Sequence, residues 1–553
     1  MQAPRARQAA ALRPSSSSPR RVIQPAKMPA LRVGVGYSRL TPYAEAVRQA
    51  TKQALNVLAA RSADGGNGAA AASSPFPLDD ATDNAKSPPP VSFATLLTCS
   101  QPERTLEHAA SIVNECASPA HGTLGATVHG IFPSSVAAGD DFSAAPGVSV
   151  ALAHAPGYTV LGFSAASSAL PASVATHVAK TAATDTLLGR GGGAFYVCNA
   201  THANDPDKTE ALLSRLHGAL PHSYVVGGAA GGMSDEVCWL PATERATSNV
   251  RDDVDHTSTS QRQSLPQACG IVLLPPHDAR ATSSSAPQFD SRCLPGYRPI
   301  GRRMRVTDVS VEPADIDGYE SDAKVLLLES LDHKPAAAAV HESLMECVAS
   351  SRTGGSKDQT FGGVVLGIAD DKDDMLVPCE FFPSTRRRAL IGSSFIGRQL
   401  PTPPTADGSR GAAGDAAGAP KHRRGGRRNP SAAPSFAAPP GSGDGALEVT
   451  GASGARVGGF AQLMTRDEVA ATNAADVCVS ELGDDGAAAF LFGCWGAPHA
   501  LETARLLRKR LPRDAVQAGL FSGEVANARE HHETAPGRGR MHAYSCALAL
   551  LRM

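Results

Sequence analysis

The sequence predicts an α/β fold built as two tandem α/β domains with mixed sheets and flanking helices. Three observations predict it. Short apolar runs alternate with segments of helical spacing, the pattern of layered α/β chains. The hydrophobic share, 42% of 553 residues, is enough for real cores. Four polar stretches rich in Pro, Gly, Ser or charge (Ser62 to Pro90, Thr243 to Pro266, Asp278 to Asp290 and Pro401 to Gly445) cannot bury apolar surface, and they leave two blocks of about 200 residues each.

In the first block, residues 31–275, Leu31 to Gly36 is a β-rich run. Thr41-Pro42 then offers a helix N-cap with proline at the first helical position, and Ala44, Val47, Leu55 and Leu58 share a face of the helix that follows. Ser92 to Thr98 reads as a strand and Arg104 to Ala117 as a helix. Val148 to Ala153 and Tyr158 to Phe163 read as strands joined at Pro156-Gly157. Ala194 to Asn199, Tyr224 to Gly227 and Gly270 to Leu274 are further strands, and Lys208 to Leu220 a helix. After a linker at 276–292, the second block, residues 293–553, opens with strands at Met304 to Val311 and Lys324 to Glu329 and a helix at Ala336 to Ala349. Beyond the insertion at 401–445, Arg466 to Leu482 has helical spacing through Val469, Ala470, Asn473 and Val477; Ala487 to Gly493 is a strand and Leu501 to Leu511 a helix.

The leader, residues 1–30, has organelle transit-peptide composition: no acidic residue precedes Glu45, while Arg5, Arg7, Arg13, Arg20 and Arg21 punctuate Ala, Pro and a Ser15 to Ser18 run. A chloroplast address is expected, or a cytoplasmic one if translation starts at Met28. Between Asp141 and Lys180 nothing carries an acidic or basic charge apart from titratable His154 and His177, but Pro146, Pro156 and Pro171 veto a membrane span, so a soluble protein is expected. Lys and Arg number 52 against 53 acidic residues, which nominates no nucleic-acid partner. The basic cluster Lys421 to Arg428 reads as a solvated insertion. Eleven cysteines without paired spacing indicate neither a zinc site nor a disulfide framework, but buried reduced thiols in an intracellular compartment.

Several motifs carry little. Gly34-Val35-Gly36 lacks the third glycine of a dinucleotide loop, no P-loop exists, and Gly162 to Ala166 lies between strands rather than opening a helix as a nucleophile elbow does. His531-His532 with His542 read as surface histidines, so no metal or cofactor is expected. Two sites are more informative. Gly227-Gly228 opens a glycine run after a strand, where backbone N–H groups approach a ligand or the chain turns tightly. Gly523-Glu524 puts a carboxylate at the end of an apolar strand, where a sheet fixes a group and leaves it accessible.

The order of these segments resembles the FIST family, with its N-terminal and C-terminal FIST domains. The N-domain-like features are Val33 to Ser38, Gly125-Ala126-Thr127-Val128-His129-Gly130-Ile131 and Tyr224 to Ala229. The C-domain-like features are Gly296-Tyr297-Arg298-Pro299-Ile300-Gly301, Arg305-Val306-Thr307, Thr465-Arg466-Asp467, Phe492-Gly493-Cys494 and Gly519-Leu520-Phe521-Ser522-Gly523-Glu524-Val525. The family usually has Cys at Tyr297, and Arg shortly after Cys494, where Trp495, Gly496 and Ala497 stand here. The resemblance implies an intracellular, non-enzymatic sensory protein that binds small molecules such as amino acids. The family's domains occur alone, in signal-transduction chains or behind an F-box in ubiquitin-ligase adaptors; a lone sensor must pass its state to another chain, so a protein partner is expected.

For an amino-acid-like ligand, Glu524 is expected to accept from the ammonium while Arg298 or Arg466 holds the carboxylate. Gly227, Gly228, Gly301, Cys494 and Gly523 complete the candidate set. The runner-up is a protein-interaction module, and the third reading an enzyme with Cys494 as nucleophile.

Overall fold

The computed structural model describes residues 31–39, 42–63, 89–99, 106–133, 144–181, 190–203, 206–232, 234–242, 266–276, 289–316, 319–353, 364–372, 376–383, 447–450, 455–481, 487–497, 499–527, 539–542 and 544–552. The leader, the insertion at 401–445 with its basic cluster, and His531-His532 lie outside them. The fold is α/β, with mixed sheets and flanking helices. Among the described residues no helix is long and apolar enough to cross a membrane.

Three sheets share one plan. The first runs β1 (Arg32–Ser38), β5 (Val148–His154), β2 (Phe93–Cys99), β3 (Gly122–Val128), β9 (Val237–Pro241). The second runs β6 (Thr159–Ala165), β10 (Ala268–Leu274), β7 (Gly193–Cys198), β8 (Tyr224–Ala229), β22 (Gly523–Asn527), β23 (Gly539–His542). The third runs β11 (Phe289–Pro295), β24 (Ser545–Arg552), β20 (Ala487–Cys494), β21 (Val516–Phe521), β4 (Gly130–Phe132). In each, the first three pairings along the sheet are antiparallel, antiparallel and parallel, and the fourth is antiparallel again. Each parallel pair is joined through a helix, as parallel strands require: α2 (Leu106–Ala117), α5 (Pro206–Ala219) and α8 (Ala500–Arg510). The chain is therefore a threefold repeat of one unit.

The repeats exchange strands in a ring. β4 leaves the first sheet to pair with β21 of the third, β22 leaves the third to pair with β8 of the second, and β9 leaves the second to pair with β3 of the first. Each exchanged strand covers an edge that would otherwise stay open. The two blocks thus share sheets, and one core is common to them: Phe195 lies 4.8 Å from Phe490 and 6.5 Å from Phe93, ring to ring.

Within the third repeat, between β11 and helix α7 (Glu468–Ser480), sits a fourth sheet. It runs β12 (Tyr297–Pro299), β19 (Phe460–Arg466), β13 (Met304–Ile316), β14 (Tyr319–Leu331), β18 (Leu447–Thr450), β17 (Val377–Pro383), β16 (Val364–Ala369), with β15 (Lys334–Pro335) beside β14. β16 also pairs with β19, so the sheet closes on itself, and Ala336, Ala339 and Val340 of helix α6 (Ala336–Thr353) pack into its core. The remaining helices, α1 (Tyr43–Ala63), α3 (Ala172–Thr181) and α4 (Ala200–Ala203), flank the first two sheets.

Four sequence readings are corrected or completed here. Gly227 and Gly228 are not in a ligand loop or a turn: both lie inside β8, paired with Val525 and Glu524, and a Cβ at Gly227 would stand 1.5 Å from the Tyr196 carbonyl oxygen. These glycines serve close strand packing. Gly34 and Gly36 do the same for α1, since a Cβ at Gly36 would lie 1.9 Å from the Ala50 carbonyl. The stretch read as linker ends in β11, where Phe289 is buried against the central core. On α7, Ala471, Ala475 and Cys478 face inward while Val469 and Val477 are 71% and 51% exposed. The valines of the helical pattern therefore mark the outer face. Val477→Lys is expected to change stability by no more than about 0.5 kcal/mol and Ala475→Lys to abolish the cooperative melt, a contrast thermal denaturation reads directly.

Candidate functional site at the junction of three sheets

The ring of exchanged strands has a centre, built from the segments that link each strand to the next sheet. β3 ends at Val128 and β4 starts at Gly130, so His129 alone bridges the first and third sheets. Ser522 alone likewise bridges β21 and β22. In the other repeat the chain passes through Ala230-Gly231-Gly232 before β9. Main-chain bonds tie the three links head to tail: His129 N–H donates to Leu520 O (2.8 Å), Ser522 N–H to Ala229 O (3.0 Å) and Gly231 N–H to Thr127 O (3.0 Å). Trp495, just past β20, joins them by donating its N–H to Phe521 O at 2.9 Å.

The side chains at this centre are polar and close. His129 Nε2 lies 2.9 Å from Ser522 Oγ. The Trp495 ring leans on His129 at 5.4 Å between centroids and is 48% exposed, whereas Ser522 is 1% exposed. Gly231 makes this pairing sterically possible, because a Cβ there would stand 2.5 Å from the His129 ring and 2.8 Å from Ser522 Oγ. Burial lowers the His129 pKa, so the imidazole is neutral at pH 7.

Glu524 lies two residues beyond Ser522, fully enclosed. Its Oε1 accepts the Ser545 N–H at 2.8 Å and the Ser545 hydroxyl, while Oε2 has no backbone or hydroxyl donor and the Cys494 thiol stands beside the carboxyl. Burial outweighs the Ser545 and Cys494 hydrogen bonds and pushes the carboxyl well above its ordinary range, so this is a neutral acid rather than an exposed acceptor for ammonium. The Cys494 thiol, 4% exposed, is pushed up by burial first and by Glu524 second, against backbone donors at Gly496 and Tyr544. It is a protonated core thiol and not a poised nucleophile.

The candidate residues thus separate. Gly227, Gly228, Gly523, Glu524 and Cys494 gather at the junction between the second and third sheets. Arg298, Gly301 and Arg466 belong to the closed sheet and its rim. Arg298 is opposite Thr465 and Arg466 opposite Tyr297, on successive rungs of the β12–β19 pair, so the two guanidinium groups leave opposite faces. Arg298 pairs with Asp467 at 3.3 Å, and Asp467 also caps α7 by accepting from Ala470 N–H at 3.0 Å. Gly301, at φ +66°, holds a turn against Ser343 and Cys347 of α6.

His542, read from sequence as a surface histidine, is 1% exposed and stands opposite Glu524 across β22–β23. It and fully buried His499, whose Nε2 meets Leu294 O at 3.1 Å, are both lowered to about 4, chiefly by burial. Between the free-histidine pKa near 6.5 and 4, the unfolded chain binds protons that the folded one excludes. The stability these two histidines contribute is therefore complete above pH 6.5 and is lost as pH drops through that window, by up to about 1.4 kcal/mol per unit for each. Urea melts from pH 7 to pH 4 check this, and His542→Gln should flatten part of the slope. Among the described residues no cluster of His, Cys, Asp or Glu is arranged to hold a metal ion.

His129, Ser522 and Trp495 escape a reading of the sequence by motif. His129 and Ser522 do lie inside the FIST-like segments Gly125 to Ile131 and Gly519 to Val525, and the signal that sets them apart is a shared position: His129-Gly130, Ala230-Gly231 and Ser522-Gly523 each follow an apolar strand. Compared with known proteins, the chain matches no family model and no curated protein.

Proposed function

We propose that the protein is a small-molecule-binding sensory protein of FIST type, with its ligand site at the three-sheet junction, that passes its bound state to a protein partner. One observation carries the reading: segments of both blocks that hold the FIST-like motifs, Gly125 to Ile131, Tyr224 to Ala229, Phe492 to Cys494 and Gly519 to Val525, converge on one point through main-chain bonds. There a half-exposed indole rests on a neutral imidazole that meets a buried hydroxyl, an apolar face beside polar groups of the kind that fix a ligand's orientation. A ligand there touches three repeats at once, which gives binding a route to the relative packing of the sheets.

A thermal-shift screen against amino acids and small metabolites tests it. At 100 times the dissociation constant a ligand stabilises by about 2.7 kcal/mol. A selective shift that is lost in Trp495→Ala and kept in Arg298→Ala is the expected result; a shift lost only in Arg298→Ala moves the site to the closed sheet. The exposed valines of α7 favour a second reading, a protein-interaction surface on that helix. Under it, a captured partner is released by Val469→Lys with Val477→Lys and unaffected by Trp495→Ala.

A further inference from the structure

Beyond ligand binding, we infer that Ser522 and His129 form a reactive dyad in which Ser522 takes an acyl group from a small activated acyl donor, an ester or thioester. The geometry is that of a nucleophile and its base. Ser522 Oγ and His129 Nε2 are 2.9 Å apart, within the range for proton transfer. With the ring proton on Nδ1, Ser522 donates to Nε2. The hydroxyl is held at a one-residue link between two strands, fixed on both sides by sheet, so its direction does not drift.

The surroundings suit the same chemistry. Ser522 is shielded from water at 1% exposure, its partner His129 is half-buried, and the half-exposed Trp495 ring rests on His129. The indole offers an apolar wall for an acyl chain. Gly231 is the third link of the ring, and any side chain there would strike both members of the pair. The repeat that carries no polar side chain at this point thus leaves room for the two that do. Burial lowers the His129 pKa. The imidazole stays unprotonated at pH 7, the state a base requires.

In the step itself, Oγ attacks the acyl carbon while its proton passes to Nε2. The new Oγ–C bond forms as the bond to the leaving group breaks, and Nε2–H returns the proton to the departing oxygen or sulfur. The product is an ester on Ser522 and a free alcohol or thiol.

The test uses a small alkyl fluorophosphonate on the full chain. Here the Oγ–P bond forms, the P–F bond breaks, His129 takes the proton and fluoride leaves. Mass spectrometry of peptides is expected to place one adduct on Ser522, with labelling slowed by about 100-fold or more in His129→Gln, the scale of lost general-base assistance. Gly231→Ala is expected to slow labelling similarly by forcing the pair apart. Circular dichroism melts establish that each variant is folded. No adduct on Ser522 in the folded wild-type protein overturns the inference whatever the variants do, and so does an adduct that forms as fast in folded His129→Gln. A selective thermal shift from a metabolite, lost in Trp495→Ala, combined with no labelling, leaves the ligand site standing and removes the dyad alone.

Discussion

Cut between residues 276 and 289 and expressed separately, the two halves are each expected to fail to fold, and to recover one cooperative melt when co-expressed. The exchanged strands are the reason. Without the second half, β8 loses β22 and the second sheet ends in an open edge; without the first, β21 loses β4. The shared interior is lost as well: Phe195 no longer meets Phe490, and each large side chain left exposed forfeits about 1.5–3 kcal/mol. Polar groups are stranded too. Gln517 of β21 accepts from Thr95 Oγ1 at 2.6 Å and donates to Ser149 O at 3.2 Å, both in the first sheet, and Arg61 of α1 pairs with Asp514 at 2.9 Å. A few such losses exceed a total stability of about 5–15 kcal/mol. Dye binding to exposed apolar surface and calorimetry measure the outcome, and a cooperative melt from either half alone contradicts it.

The second large effect is a reversal of the usual expectation for an acidic residue. Glu524→Gln is expected to stabilise the protein increasingly as pH rises above about 4.5, the ordinary glutamate value. Because the folded pKa is raised, the folded protein keeps a proton there that the unfolded chain has released. The stability associated with Glu524 is complete below the unfolded value and is lost as pH rises toward the folded one, at up to about 1.4 kcal/mol per unit. Glutamine keeps an oxygen for the Ser545 N–H and hydroxyl and carries no charge to bury. Urea melts of both proteins from pH 4 to pH 9 should converge at the acid end and diverge at the alkaline end. Parallel curves would show that Glu524 is ionised in the folded state, and with it the acceptor role first read from its sequence position.

Local pattern made much of the fold legible. The strands at Val148–His154 and Ala268–Leu274 and the helices at Leu106–Ala117 and Ala500–Arg510 announce themselves through periodicity and apolar runs. What periodicity does not carry is partnership. β4 is three residues long and β22 five, too short for any pattern, and both owe their conformation to strands nearly four hundred and three hundred positions away. The insertion of the closed sheet between β11 and α7 further hides the third repeat from comparison with the other two. The candidate site divided on the same line. Glu524, Cys494 and Gly523 are legible because their motifs are local, whereas His129 and Trp495 acquire meaning only when three sheets meet. The arginines are legible from sequence only as charge, and strand alternation sends them to opposite faces.

Trp495 and Trp239 are the two tryptophans of the chain, which makes the junction open to direct observation. In protein labelled with 5-fluorotryptophan, fluorine NMR gives one signal for each, assigned by its absence in Trp495→Phe. Titrated with the compounds that raise the melting temperature, the Trp495 signal is expected to shift saturably and the Trp239 signal to stay. Stabilising compounds that move Trp239 or neither signal would contradict a ligand site at the junction of the three sheets.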